Sequence, residues 1–240
     1  MKQQQLEYRH GEVRCLGQLI WDETRSGPRP GVVVFPEAFG LNAHAIERAE
    51  RLARLGYVAL AADPHGEAQY FADLASVGPA IKALYADRQH WRGRAQAALD
   101  ALAAQPQVDH QRLAAIGFCF GGATALELAR HGAALVALTT FHAALLPELE
   151  NDAGRIRAKI LVCHGAEDPL LPKERLDAVL DSFRRDQLDW QLACYGGAAH
   201  SFTEPEANAR QMPGIRYHAV ADARSWQAMR ALFDEVLSPL

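Results

Sequence analysis

The chain has 240 residues, of which 49% are hydrophobic and 22% are charged, a composition typical of a globular protein whose core needs no metal or disulfide. Its formal net charge is −4, so the sequence lacks the basic balance that indicates nucleic-acid binding, and we expect no nucleic-acid partner. The polar N-terminus, MKQQQLEYRH, lacks the apolar segment of a signal peptide. No apolar run approaches the roughly 18 residues of a membrane-spanning helix, so we expect no membrane partner and a cytoplasmic location.

Short apolar runs alternate with stretches of helical periodicity along the chain. The runs that predict strands lie at 12–20, 31–35, 57–63, 112–118, 134–140, 159–165 and 190–196. The stretches that predict helices lie at 43–56, 76–104, 122–132, 172–186 and 220–237. The run GVVVF at 31–35 is continuous and β-branched, as expected of a strand buried on both faces. Gly56 is placed to end the first helix.

This alternation predicts an α/β fold with a mainly parallel central sheet, right-handed crossovers and helices on both faces. No repeat, low-complexity tract or linker interrupts residues 1–240, so we expect a single domain. Ligands of such sheets bind just beyond the carboxyl ends of the strands. The polar residues that follow the predicted strands are Glu37, Asp63, His65, Cys119, His142, Asp168 and His200.

Cys119 lies at the centre of GFCFGG, residues 117–122, between a predicted strand and a predicted helix. The α/β-hydrolases carry their nucleophile in a G-x-S-x-G turn of this kind, in the chain order nucleophile, acid, histidine. The order here is Cys119, Asp168, His200. The glycines allow a tight turn, and the N-terminus of the following helix favours a thiolate. We therefore interpret Cys119 as a nucleophile, although a small buried packing residue is the common role of a free cysteine.

The acid and the histidine each have competing candidates. Asp168 follows a strand in HGAEDPLLP, where Glu167 could serve instead. We prefer Asp168 because its spacing suits a loop that returns toward the site, although an aspartate at this place could simply cap a helix. His200 stands near glycines in GGAAHSFT, which suggests a positioned turn. His164 is interpreted as a strand-end residue and His142 as a lining residue of the pocket.

The remaining cysteines, Cys15, Cys163 and Cys194, lie within predicted strands, and we interpret them as core packing residues. No C-x-x-C or H-x-x-x-H spacing indicates a metal site. Four widely separated cysteines are typical of a reduced protein. We expect no metal and no cofactor.

The chain resembles the dienelactone hydrolase (carboxymethylenebutenolidase-like) family over nearly its whole length. Four segments carry the similarity: VVVFPEAFGLNAHAIERAERLARLGYVALAAD, GFCFGG, CHGAEDPLLP and HSFTEPEA. They match the family's acidic loop and following helix, its nucleophile turn, its acid segment and its histidine segment. The resemblance implies the α/β-hydrolase fold and a cysteine-dependent hydrolase that acts on a small-molecule lactone or activated ester.

The resemblance also implies roles for single residues. Glu37 would contact the resting thiol, be displaced by substrate and help to form the thiolate. A carboxylate near a thiol disfavours a second negative charge, so resting Cys119 would stay protonated. By position, the backbone N–H groups of Phe120 and Ala38 would form the oxyanion hole. Phe39 is a further candidate for lining the pocket.

One stretch departs from the family pattern. The best-studied family members carry a cation a few residues after the catalytic histidine, where it receives a substrate carboxylate. In this chain Glu204 stands near that place after His200. Arg210 or Arg216 could supply the charge if the loop folds back.

The expected chemistry follows from these assignments. Cys119 would attack the carbonyl carbon, His200 would receive and return protons, and Asp168 would orient the imidazole. Two alternative hypotheses stay open: the acyl-thioenzyme could pass its acyl group to a thiol or alcohol, or the chain could be a binding or redox-sensing protein without turnover. We expect a monomer or a small homo-oligomer.

Overall fold

The computed structural model of the chain describes residues 1–237. It divides into two compact units, residues 1–116 and the residues from 117 onward. The single-domain organisation stays a prediction. None of the helices within the described residues combines the length and the apolar character that crossing a bilayer requires.

The first unit begins with an antiparallel pair of strands and continues with alternating strands and helices. Its elements are β1 (Lys2–His10), β2 (Val13–Trp21), β3 (Arg29–Phe35), α1 (Ala43–Leu55), β4 (Val58–Ala61), α2 (Leu74–Ala86), α3 (Arg88–Ala103) and β5 (Val108–Phe118), whose last two residues lie past the boundary. The strand order is β1-β2-β4-β3-β5. β4 pairs antiparallel with β2 and parallel with β3, where Gly31 is opposite Val58.

Strand β3 forms the buried centre of this unit. Val32, Val33 and Val34 expose no surface, and burial of each valine side chain contributes about 1.5–3 kcal/mol to folding. A β-carbon on Gly31 would lie 2.9 Å from the side chains of Val108 and Leu113. The β-branched run therefore forms the buried strand that the sequence predicts, and its glycine admits close packing of the neighbouring strand.

The second unit is built from parallel strands joined by helices. Its elements are α4 (Phe120–Arg130), β6 (Ala137–Phe141), β7 (Lys159–Gly165), α5 (Lys173–Arg185), β8 (Trp190–Tyr195) and α6 (Ala219–Val236). The strand order is β6-β7-β8. Ala137 of β6 is opposite Lys159 of β7, and Ile160 of β7 is opposite Trp190 of β8. Helix α6 packs on all three strands.

The helix bounds agree with the sequence except in one region. Helix α1 ends as expected at Gly56, which has φ of 104° and donates its N–H to the carbonyls of Ala53 and Leu52. The helical stretch predicted over 76–104 is confirmed as helical but forms two helices, because α2 ends and α3 begins on either side of Asp87. The carboxylate of Asp87 accepts a hydrogen bond from the N–H of His90, so it caps a new helix start where helical periodicity alone shows none.

Two further features differ from the sequence analysis. Strand β1 was not predicted, because its polar residues carry no burial pattern; it forms by pairing along its whole length with β2. The interpretation of Cys194 as a core residue is wrong, since it is exposed on β8, the last strand in the order β6-β7-β8. Cys15 and Cys163 are buried, as expected.

Candidate active site

Cys119 occupies a strained turn between the end of β5 and the start of α4. Its backbone angles are φ 54° and ψ −116°, a region that a non-glycine residue occupies at a cost of about 1–3 kcal/mol. Two hydrogen bonds hold this geometry. The Cys119 N–H donates to the carbonyl of Phe141 over 3.0 Å, and the N–H of Ala144 donates to the carbonyl of Cys119 over 3.3 Å. Cys119 is half-buried, so the turn leaves part of this residue accessible to solvent.

The glycines of the turn are required by close approach of backbone atoms. A β-carbon on Gly117 would lie 2.0 Å from the carbonyl oxygen of Gly121 and 2.7 Å from the nitrogen of Gly122. A β-carbon on Gly122 would lie 2.5 Å from that of Ala143. No side chain fits at these distances, so the pattern around Cys119 is a steric requirement of the turn itself.

His200 and Asp168 form a buried pair in the same unit as Cys119. Nδ1 of His200 lies 2.8 Å from Oδ2 of Asp168, and their side chains are 1% and 0% exposed. The other carboxylate oxygen of Asp168 accepts from the N–H of Leu170 over 2.8 Å. Because a carboxylate can only accept, Nδ1 of His200 carries a proton, and Nε2 is the ring atom left for proton transfer.

The second ring nitrogen of His200, Nε2, takes no part in the pair with Asp168. It is buried and has no hydrogen-bond partner of good geometry among residues 1–237. Burial lowers the pKa of His200, but the negative charge of a Cys119 thiolate and the hydrogen bond to Asp168 raise it more, to about 10. His200 therefore holds its proton more strongly than a free imidazole does.

The structure separates the competing acids and histidines. The Glu167 side chain is 55% exposed, and its carboxylate lies 2.5 Å from the guanidinium of Arg216. Asp168 rather than Glu167 is therefore the acid brought to His200. His164 ends β7 and is buried, and burial lowers its pKa.

Glu37 lies in the first unit and is held by neighbours that the sequence analysis did not name. It is 2% exposed. Nδ2 of Asn42 donates to its Oε2 over 2.8 Å, and Nδ1 of His44 lies 2.6 Å from its Oε1. Nε of Arg48 donates to Nε2 of His44 over 2.9 Å. Arginine can only donate, so the His44 proton is on Nδ1 and faces Glu37. The i, i+4 spacing of His44 and Arg48 was the available sequence evidence.

The loop that contains Ala38 and Phe39 is fixed by residues after β4. Nε2 of His65 donates to the carbonyl of Ala38 over 2.7 Å, and the N–H of Phe71 donates to the carbonyl of Phe39 over 2.9 Å. Phe39 is buried.

The carboxylate of Asp63, the other polar residue after β4, accepts hydrogen bonds from four backbone N–H groups. Those donors are Leu16, His65, Gly66 and Ala68. Asp63 therefore orders the loop that carries His65.

The two arginines that could have replaced a missing cation are both paired with carboxylates. Arg210 forms a two-fold ion pair with buried Glu204, and Arg216 pairs with Glu167. In the segment after His200, Arg210 and Glu204 therefore form a local ion pair.

Two other candidates lie close to the proposed triad in the chain or in space. His142 is fully buried next to His200, and Phe120 begins α4 directly after Cys119.

The cysteines differ in their capacity to ionise. Burial raises the pKa of Cys15 to about 11 and that of Cys163 to about 12, so both remain thiols near neutral pH. In the part of the chain that the structure describes, no three His, Cys, Asp or Glu side chains are grouped to hold a metal ion.

The family model for dienelactone hydrolases matches residues 18–237. The chain belongs to the dienelactone hydrolase family. This membership confirms the resemblance seen in the sequence, and it makes the chain a hydrolase. The match covers the elbow of Cys119 and the segments of Asp168 and His200.

Single proteins that are similar to this chain in sequence or structure carry names from the same family. A dienelactone hydrolase-like promiscuous phosphotriesterase from metagenomic libraries is 60% identical, covers 99% of each chain and superposes with a TM-score of 0.97. A Yersinia pestis protein with the provisional name carboxymethylenebutenolidase is 27% identical over 89% of this chain and 80% of its own. A dienelactone hydrolase from Anabaena variabilis, 20% identical over 99% of each chain, shares the fold with a TM-score of 0.69. The predicted α/β-hydrolase fold with a mainly parallel sheet is confirmed.

Proposed function

We propose that this dienelactone hydrolase family member opens lactones or cleaves activated carboxylic esters through an acyl-thioenzyme on Cys119. The observation that carries the proposal is the pairing of buried Asp168 with His200 in the same unit as Cys119, which occupies a strained turn. The negative charge of a Cys119 thiolate would raise the pKa of His200. Cys119, Asp168 and His200 serve as nucleophile, acid and base, and they follow one another in the chain order of the α/β-hydrolases.

In the first half of the reaction, the Cys119 thiolate attacks the carbonyl carbon and a C–S bond forms. The carbonyl electrons move to oxygen, and the N–H groups of Phe120 and Ala38 are our candidates for stabilising that oxyanion. When the oxyanion collapses, the C–O bond to the leaving group breaks, and the imidazolium of His200 donates the Nε2 proton to the departing oxygen. The products are a thioester and the alcohol or enol.

In the second half, neutral His200 accepts a proton from water while the water oxygen attacks the thioester carbon. Collapse of the new oxyanion breaks the C–S bond and releases the acid. The thiolate of Cys119 and the imidazolium of His200 are restored, and Asp168 keeps Nδ1 protonated throughout. The cycle needs no cofactor.

For Glu37 we propose the role that the family resemblance gives it: its negative charge disfavours the thiolate of Cys119 at rest, and it helps to form the thiolate when substrate binds. The support from this structure is that Glu37 is buried and held by two hydrogen bonds. An exposed loop glutamate would have neither property.

We also propose that the substrates are neutral. Arg210 and Arg216 are each paired with a carboxylate, so neither presents an unneutralised charge to a carboxylate-bearing substrate. Neutral lactones and p-nitrophenyl esters are therefore the appropriate first substrates.

The experiment that tests the proposal measures hydrolysis of p-nitrophenyl acetate and of dihydrocoumarin. Cys119→Ala is expected to abolish both activities and to lower the free energy of unfolding by no more than about 1–2 kcal/mol. Cys194→Ser is the matched control, because Cys194 is exposed. Mass spectrometry of acid-quenched wild type is expected to show an acyl group on Cys119. Activity of Cys119→Ala within a few-fold of wild type would remove Cys119 from the mechanism.

Product analysis separates the two alternative hypotheses. Addition of a thiol or alcohol that diverts the acyl group from water would identify an acyltransferase. A reactive Cys119 without turnover of any ester would identify a binding or redox-sensing protein.

A second candidate activity is hydrolysis of phosphotriesters that carry good leaving groups. It is favoured by the 60% identity to a protein described as a promiscuous phosphotriesterase. Cys119 would attack phosphorus and form a P–S bond as the P–O bond to the aryloxide breaks. Water that gives its proton to His200 would then attack phosphorus, break the P–S bond and release the dialkyl phosphate. Paraoxon hydrolysis that is present in wild type and lost in Cys119→Ala would support this activity at Cys119. Hydrolysis that persists in the variant would remove Cys119 from the reaction, and no hydrolysis by wild type would refute the activity.

A further inference from the structure

His142 is a buried histidine to which the proposed reaction gives no step. It follows β6 directly and exposes 0% of its surface. Its φ of 40° lies in the left-handed region, which non-glycine residues seldom adopt outside constrained sites. The backbone N–H of His142 donates to the backbone carbonyl of Cys163 on β7 over 2.9 Å. The fold therefore fixes the backbone of His142 in an uncommon conformation at the edge where the strands end.

The ring of His142 contacts the ring of His200. The two centroids are 5.2 Å apart at an interplanar angle of 68°, an edge-to-face arrangement. A second ring neighbour of His142 is Phe202, at a centroid distance of 5.2 Å and an interplanar angle of 81°. The ring of His142 thus contacts both the imidazole of His200 and an aromatic side chain from the same segment.

A hydrogen bond ties the same ring to the segment that carries His200. Nε2 of His142 lies 2.7 Å from Oγ1 of Thr203, and both residues are buried. Thr203 is three residues after His200, in a turn in which the N–H of Glu204 donates to the carbonyl of Ser201. His142 therefore contacts the catalytic imidazole and also restrains its backbone segment.

We propose that His142 is a positioning residue for His200, which holds the imidazole in the orientation that joins Asp168 on one side to Cys119 on the other. This inference rests on the proposed function. A single hydrogen bond at Nδ1 leaves the ring of His200 able to tilt about that contact. An edge-to-face neighbour limits the tilt, and the bond to Thr203 keeps the neighbour in place. A phenylalanine could supply the packing but not the hydrogen bond, which explains the polar ring.

The test compares His142→Ala, His142→Phe and Thr203→Val in a Cys194→Ser background. The background removes the exposed thiol, and the pKa values of Cys15 and Cys163 keep them unreactive. His110, exposed on β5, provides the control His110→Ala. One readout is kcat and KM for p-nitrophenyl acetate. The other is the pH dependence of iodoacetamide labelling of Cys119, which needs no turnover.

His142→Ala is expected to lower kcat by about tenfold to a hundredfold, the usual cost of misplaced catalytic groups, with KM changed less than about twofold. Labelling of Cys119 near neutral pH is expected to slow, because a misoriented His200 no longer stabilises the thiolate. His142→Phe is expected to recover part of the loss, and Thr203→Val to lose several-fold in kcat. His110→Ala is expected to match its background in both measurements.

Unchanged kcat and unchanged labelling in His142→Ala would overturn the proposal. If that variant fails to fold, unchanged values in Thr203→Val would overturn it instead. Failure of the proposed function has a different signature, namely esterase activity that survives Cys119→Ala. In that case slower labelling of Cys119 in the His142 variant would still support a positioning role, and equal labelling would refute it.

Discussion

Replacement of Asp168 by asparagine isolates the charge that faces His200. Asparagine keeps the shape of the side chain, and its oxygen can still accept from the N–H of Leu170. What is lost is a buried, charge-assisted hydrogen bond of 2.8 Å between Oδ2 and Nδ1 of His200. Such bonds contribute about 1.5–3 kcal/mol. Since 1.36 kcal/mol corresponds to one pKa unit, the pKa of His200 is expected to fall by about one to two from its raised value near 10.

The direction of this change fixes what the assay shows. The imidazolium of His200 loses a stabilising partner, so it releases its proton at lower pH. The alkaline limit of p-nitrophenyl acetate hydrolysis, set by loss of the proton that His200 gives to the leaving group, is expected to move to lower pH in Asp168→Asn. A titration of His200 by NMR gives the same pKa directly. Catalysis is expected to fall by as much as about 10⁴-fold, because asparagine also permits the wrong tautomer.

The matched control is Glu167→Gln. That side chain is exposed and pairs only at the surface with Arg216, where an ion pair contributes about 0–1 kcal/mol. The control is expected to change neither the pKa of His200 nor kcat. A larger loss in Glu167→Gln than in Asp168→Asn would show that the acid is assigned to the wrong residue. An unchanged alkaline limit in Asp168→Asn would refute the electrostatic argument.

Two further substitutions test the turn and the acidic loop. Gly117→Ala places a β-carbon 2.0 Å from the carbonyl oxygen of Gly121, so urea unfolding is expected to show a free energy of unfolding lower by at least about 1–3 kcal/mol. The control is Gly196→Ala, whose added β-carbon meets no atom within 4 Å. Equal stability of the two variants would contradict the steric argument. Glu37→Gln removes a negative charge, so iodoacetamide is expected to label Cys119 several-fold faster at neutral pH while turnover falls several-fold. Equal labelling and equal turnover would leave Glu37 without a role in the reaction.

Local chemistry explains which parts of the molecule were predictable from sequence. The continuous valine run of β3 is stabilised in a strand that is buried on both faces, so its central position in the sheet could be predicted from this run of residues. The turn at Cys119 requires glycine where backbone atoms approach within a normal contact distance, and the same glycines marked the turn in the sequence. The C-cap at Gly56 needs a left-handed residue, for which glycine is the least strained choice.

Features that depend on a partner distant in sequence were decided by the tertiary structure. Strand β1 has no burial pattern and exists through its ladder with β2. The choice between Asp168 and Glu167 was open because adjacent carboxylates look alike in a sequence, and only the fold buries one beside His200 and exposes the other.

The same limit applies to packing and charge. Cys194 lies in a strand as apolar as that of Cys163, but its exposure depends on the position of β8 in the strand order. The contact of His142 with His200 joins residues 58 positions apart. The sequence by itself determined most of the elements, the turn at Cys119 and the set of candidate groups, because these depend on residues that are neighbours in the chain. The tertiary structure decided which acid, which histidines and which arginines are paired, because burial and hydrogen bonding are properties of contacts between segments.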